Sequence, residues 1–150
     1  MLFFVTSWCK TTRFYTLMKK GIFSIAATLL GFGLTAATSC GKQSFEQQLE
    51  ADVRNFNEHE APQRQEPILM LDSMAFDANI HTLSHFYTVE GDGERLFPAD
   101  LWKEEVRKNV RSSLALKPHK EHGINLRYVY YGKSSGKVLM DATYTPEDYR

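Results

Sequence analysis

The chain has 150 residues, 43% of them hydrophobic, with 18 basic side chains balanced by 18 acidic ones. That length suits one domain with one core, and a zero net charge lacks the excess of Lys and Arg that nucleic-acid backbones select. Both cysteines, Cys9 and Cys40, fall in the first 40 residues, so no thiol remains further on for a disulfide, a Cys metal site or a nucleophile.

Residues 1–17 are rich in aromatic side chains, including Trp8, Phe14 and Tyr15, and fit no part of a targeting signal. They are read as an N-terminal extension from a translation start assigned too early. Met18-Lys19-Lys20 then supplies a basic start, Gly21 to Leu34 an apolar core, and Ala37-Thr38-Ser39 the small residues before Cys40. Basic start, short apolar core and small cleavage residues are the parts of a secretory signal. The core is shorter than the roughly 20 residues that a comfortable membrane span needs.

With Cys40 closing it, this run resembles the signal and lipobox of a bacterial lipoprotein. Ala37 stands where that pattern more often carries Leu or Val. The resemblance implies that residues 18–39 are removed and that the Cys40 thiol and its new amine are acylated. The domain would then be held to the lipid bilayer, in the cell envelope. The absence of Asp at position 41 and of an acidic run is compatible with the outer membrane, facing the periplasm. One acyl chain holds a protein only marginally, and several make release negligible.

Removing 39 of 150 residues leaves 111. The removed part carries Lys10, Arg13, Lys19 and Lys20 and no acid, so 14 basic and 18 acidic residues remain, a net of −4. Nucleic acid is therefore not expected as a partner. Residues 40–43 form a lipidated tether whose last three residues reach only about 10 Å, and residues 44–150 form a single domain.

Ser44 and Gln47 have the spacing of a capping box, and Phe45, Leu49, Val53 and Phe56 recur at helical spacing. The helix ends at His59-Glu60-Ala61-Pro62, and the polar stretch to Pro67 reads as a loop. Ile68–Phe76 and Ile80–Glu90 read as strands of a hairpin turning at Asp77-Ala78-Asn79. Leu69 and Leu71 fall on the opposite parity from Met70, Met74 and Phe76, which a bulge near Asp72 or Ser73 would reconcile.

A second helix opens at Pro98 or Asp100 and runs to about Leu116. Its inner stripe is Trp102, Val106, Asn109/Val110 and Ser113/Leu114, and Lys117-Pro118 stops it. A second hairpin follows, in which a three-residue loop at Ser134-Ser135-Gly136 pairs Tyr130 with Met140, Tyr128 with Ala142 and Leu126 with Tyr144. The expected fold is α+β, helix-hairpin-helix-hairpin, with a four-stranded antiparallel sheet and both helices on one face. The segments from His81 to Thr88, Tyr128 to Tyr131 and Thr145 to Tyr149 are similar to small uncharacterised bacterial envelope proteins, a resemblance that brings no activity with it.

Few residues offer chemistry. His81 and His85, four apart on one strand, would stand about 13 Å from each other, too far to share a zinc ion whose ligands lie near 2.1 Å. His119 and His122 flank Lys120-Glu121 beyond a helix that Pro118 interrupts, and read as solvated loop residues. Asp72 with Asp77 lacks a cleft, and Arg127 with Asp141 reads as a surface pair across the second hairpin. No phosphate loop, nucleophile elbow or HExxH motif occurs. No cofactor and no metal is expected.

One constellation remains. His85, Tyr87, Tyr128 and Tyr130 share the inner face of the predicted sheet. Under two helices they form a core, and with the sheet partly open they would line an aromatic groove. The favoured function is a non-catalytic interaction module with an envelope protein partner. The alternative is a periplasmic binder of a peptide, glycan or small molecule, and a small hydrolase ranks last.

Overall fold

The computed structural model describes residues 43–150. The signal, Cys40 and most of the tether lie outside the described residues. Helix α1 spans Phe45–His59, followed by strands β1 (Gln63–Glu66), β2 (Leu69–Asp77) and β3 (Thr82–Val89). Helices α2 (Asp92–Arg95), α3 (Ala99–Ser112) and α4 (Lys117–Glu121) lead to strands β4 (Asn125–Gly132) and β5 (Val138–Tyr144). A last turn of helix, α5, covers Pro146–Tyr149.

The chain is α+β, but the four-stranded antiparallel sheet is not what forms. Among the described residues, five strands lie in the order β1-β2-β3-β4-β5, and the central pair β3–β4 is parallel. The physical reason lies in the connection between them. The helix α3 runs back along the sheet to the end where β3 begins, so β4 starts there and continues in the direction of β3. This is the crossover that parallel strands require. Alternation along a strand shows which side chains share a face; it carries no information on direction.

The expected polar loop before Pro67 contains β1, an edge strand paired antiparallel with β2. Its sequence Gln-Arg-Gln-Glu has no apolar alternation, because an edge strand contributes little to the core.

The bulge in β2 forms at Asp72. Leu71 opposes Tyr87 and Ser73 opposes Phe86, leaving Asp72 as the extra residue. It lets Leu69 and Leu71 on one side of the irregularity and Met74 on the other all be buried. The Asp72 carboxylate accepts a hydrogen bond from the Thr88 hydroxyl at 2.6 Å, closing the bulge against β3.

In the β4–β5 hairpin Leu126, Tyr128 and Tyr130 face Tyr144, Ala142 and Met140, the pairing anticipated from the sequence. The loop is one residue longer than expected. The Gly132 amide donates to the Lys137 carbonyl at 2.9 Å, closing a four-residue turn over residues 133–136. An irregularity at Leu139 restores the inner register. Gly136 has φ 63°, where a side chain would be strained.

The two long helices join one core. Ser44 and Gln47 cap α1 reciprocally, and Leu49, Val53 and Phe56 are buried. Trp102, Val106 and Val110 are the buried stripe of α3. That helix stops four residues before the predicted end. Ser113 turns extended, the 3.6-residue phase is lost, and Leu116 is buried while Leu114 stands 84% exposed. Lys120 on α4 reaches back and donates to the carbonyls of Val110, Arg111 and Ser113 at 2.9–3.0 Å. An ammonium thus closes the C-terminus of α3, where cations are favoured. Pro118, expected to stop α3, sits in the first turn of α4, where its missing N–H costs nothing.

Candidate functional site

The inner face of β3 and β4 brings together the four residues singled out from the sequence. The parallel register sets His85 beside Tyr128 and Tyr87 beside Tyr130. The paired rings lie nearly flat on each other, with centroids 4.8 Å apart in both pairs and interplanar angles of 8° and 10°. Tyr87 lies 6.4 Å from Tyr128, so the rings form one continuous two-by-two stack.

This stack is closed to solvent. All four residues are buried, none more than 7% exposed. Phe97 and Trp102 close over the Tyr130 end, with Trp102 edge-on to Tyr130 at 5.9 Å. Tyr144 stands edge-on to Tyr128 at 5.9 Å and donates its hydroxyl to the Lys103 carbonyl on α3. Burial drives the phenols up, Tyr87 and Tyr128 well above the usual range for tyrosine. The helices thus cover the aromatic stripe and leave no aromatic groove along it.

At the other end of the stack, a cavity of about 60 Å³ lies between α1, the sheet and residues 115–119. Leu49, Val53, Met74 and Leu83 form its apolar walls, and Asp52, His85 and His119 its polar ones. A water needs about 10–15 Å³ of such space, so the cavity admits a few waters or a small ligand and is far too small for a glycan. The Nδ1 atoms of His85 and His119 are both buried and bond to no protein group. Burial lowers both imidazoles to about 4; for His85 the neighbouring His119 adds to this, and for His119 the neighbouring His122 does. Burial also raises the Asp52 carboxyl. His85 is a core histidine that stacks on Tyr128 and is hydrogen-bonded to the Arg127 backbone.

His81, His119 and His122 are placed differently from the expectation. His81 is not on the strand with His85. It sits in the β2–β3 turn at φ 49°, its Nδ1 3.0 Å from the Glu46 carboxylate. His119 and His122 are not merely solvated: both pack on Phe45 at the start of α1, His122 flat at 4.0 Å and His119 edge-on at 5.7 Å. No sequence signal marks this contact, because it joins residues more than seventy positions apart. Arg127 and Asp141 do form the surface pair, at 2.9 and 2.6 Å. Among the described residues, no group of three His, Cys, Asp or Glu side chains could hold a metal ion. No described helix is long and apolar enough to cross a membrane.

Asp72 and Asp77 are likewise apart in role: Asp72 closes the bulge, and Asp77 accepts the Asn79 amide in the turn. The shifted carboxylates at the far end of the sheet are depressed by structural partners. Lys133 and Arg64 hold Glu90 low, and the Ser134–Ser135 segment does the same for Glu94.

Residues 44–140 match the family described as "Domain of unknown function (DUF8479)", and the chain belongs to it. No curated protein matches the chain. Three solved structures share its fold. A candidate secreted protein from Pseudomonas aeruginosa is 13% identical with a TM-score of 0.58, covering 72% of this chain and 99% of its own. The pilotin EpsS of the Vibrio vulnificus type 2 secretion system is 14% identical with a TM-score of 0.55, covering 70% and 94%. The type II secretion system pilotin AspS of Vibrio cholerae is 15% identical with a TM-score of 0.51, covering 69% and 94%.

Proposed function

We propose that this member of the DUF8479 family is a non-catalytic cell-envelope lipoprotein, anchored through acylated Cys40, that presents its α+β domain to a partner protein. The observation that carries the reading is where the apolar groups lie. The aromatic stripe that could have bound a ligand is shut inside the core, while Leu96, Leu101 and Val138, three of the five large apolar side chains that stand more than half exposed among the described residues, remain open. Such a surface suits contact with another macromolecule. The shared fold supports it, since two of the similar structures are pilotins of type II secretion systems. The sequence order around Cys40 supports the anchor, and the residues that follow it are compatible with an outer-membrane location facing the periplasm.

The partner is tested by covalent crosslinking in intact cells carrying a tagged chain, followed by mass spectrometry. A reproducible envelope protein is expected. Recovery of no protein, with a small molecule co-purifying instead, would overturn the reading. The anchor has its own test: Cys40→Ser should release the chain from membranes. A variant that stays membrane-bound at its processed size would end the lipidation argument.

A second reading has one observation in its favour, the pair of unbonded imidazole nitrogens in the small cavity. It would make the domain a receptor for a small polar molecule, and native mass spectrometry of the purified chain separates the two.

A further inference from the structure

Among the described residues, the five most exposed large apolar side chains are not scattered evenly. The two that are most exposed, Leu114 at 84% and Ile80 at 61%, share one end of the sheet. Ile80 sits in the β2–β3 turn, where β2 ends and β3 begins. Leu114 lies in the segment between α3 and α4, and α4 leads into β4, which begins at the same end as β3 because the two are parallel.

That end is also where α1 starts. Glu46, in the first turn of α1, pairs with His81 of the β2–β3 turn. Phe45 is held between the rings of His119 and His122 from α4 and its end. The Asn125 amide donates to the His81 carbonyl at 2.8 Å, and the Asn125 side chain reaches Ile80. The start of α1, the β2–β3 turn and the α3–α4–β4 corner therefore form one contiguous tip.

Four residues separate Cys40 from Phe45. Gly41, Lys42 and Gln43 reach about 10 Å at full stretch. If Cys40 is acylated, this tip has nowhere to be but against the headgroups. Its polar side chains are tied down within it: the Glu46 carboxylate lies 3.0 Å from the His81 ring, Glu121 lies 3.6 Å from Lys117, and the Asp77 carboxylate accepts the Asn79 amide. Two branched aliphatic side chains standing out from such a tip fit the interfacial layer of a phospholipid bilayer, where apolar groups enter and polar backbone stays wet.

We infer that the tip carrying Ile80 and Leu114 docks on the bilayer surface, so that the acyl anchor and these two side chains together fix the orientation of the domain. The inference rests on the anchor reading and adds a second, non-covalent contact to it. The opposite end, with the turn over residues 133–136, then points away from the membrane.

The test uses the chain purified from cell membranes and reconstituted into vesicles of phosphatidylcholine and phosphatidylethanolamine. Amide exchange read by mass spectrometry is compared with that of the Cys40→Ser chain in solution. Exchange should slow about tenfold over residues 78–81 and 113–116 and stay unchanged over residues 133–137. The Ile80→Ser, Leu114→Ser double variant should still float with the vesicles and lose the slowing, which separates docking from anchoring. If the wild-type chain floats but both segments exchange as in solution, the tip does not dock and the anchor stands. If it fails to float, the anchor reading falls and takes the inference with it. Slowing in cell membranes but not in pure lipid would assign the tip to a protein instead, and would overturn the proposal.

Discussion

His85 is the residue whose burial has the clearest thermodynamic consequence. Its ring is enclosed by Tyr128, the cavity walls and the neighbouring His119 and Asp52, and its folded-state pKa falls to about 4 from an ordinary 6.5. The unfolded chain therefore binds more protons than the folded one between those two values. Linkage then requires stability to be intact above about pH 6.5 and to fall as the pH drops toward 4. At about 1.4 kcal/mol for each unit, the loss attributable to His85 is on the order of 3 kcal/mol. Urea midpoints measured at pH 7 and pH 4.5 should show the decline. His85→Phe, which keeps a flat ring and removes the titration, should reduce it by about half, because His119 titrates beside it. An unchanged slope in the variant would mean that the ring is not buried as described.

At the scale of elements, the Asp72 bulge decides whether β2 serves the core. Side chains alternate across a strand, so Leu69 and Leu71 can share the buried face with Met74 only if one residue is inserted between them. Deleting Asp72 leaves Leu69, Leu71 and Met74 in plain alternation on one regular strand, so all three can stay buried. The deletion variant should therefore fold and lose only about 1 kcal/mol, the worth of the Asp72–Thr88 hydrogen bond. Circular dichroism with urea denaturation checks this, and a loss of roughly 4 kcal/mol, the burial of two leucines at about 2 kcal/mol each, would mean that the bulge does not set the parity. The bulge was legible in the sequence because the parity conflict among Leu69, Leu71 and Met74 is itself a one-residue signal. Helix α1 was legible through its capping box and stripe. The true end of α3 was not. Leu114 and Leu116 are both apolar, and the turn at Ser113 that exposes one and buries the other depends on Lys120 closing the carbonyls from a later element.

At the scale of the molecule, the parallel central pair sets the order of stability. Strands β3 and β4 are flanked on both sides, and six of the ten largest fully buried side chains lie on them, among them Leu83, His85, Leu126 and Tyr130. Their amides should open only with global unfolding and exchange slowest, while β1, a four-residue polar edge, should exchange fastest of the strands. Native-state hydrogen exchange checks the ranking, and a protected β1 would contradict the sheet order. Strand direction was hidden from the sequence for a simple reason: a hairpin-helix-hairpin string has the same periodicities whichever way the second hairpin enters. The closed aromatic stack followed from the same limit. Shared parity of His85, Tyr87, Tyr128 and Tyr130 was visible, but whether helices cover them depends on distant contacts such as Trp102 on Tyr130.

The carboxylate of Glu94 has an implication for how this family can vary. It accepts the backbone amides of Ser134 and Ser135 at 2.8 and 2.9 Å and occupies the space beside Gly132, where any Cβ would run into it and into the Ser135 hydroxyl. Glu90 clasps Lys133 from the same segment. Two stretches forty positions apart in the chain are thereby locked as one unit. A side chain at position 132 needs both the Glu94 carboxylate and the Ser135 hydroxyl out of the way, so losing the acid alone does not make it permissible and the three positions are coupled.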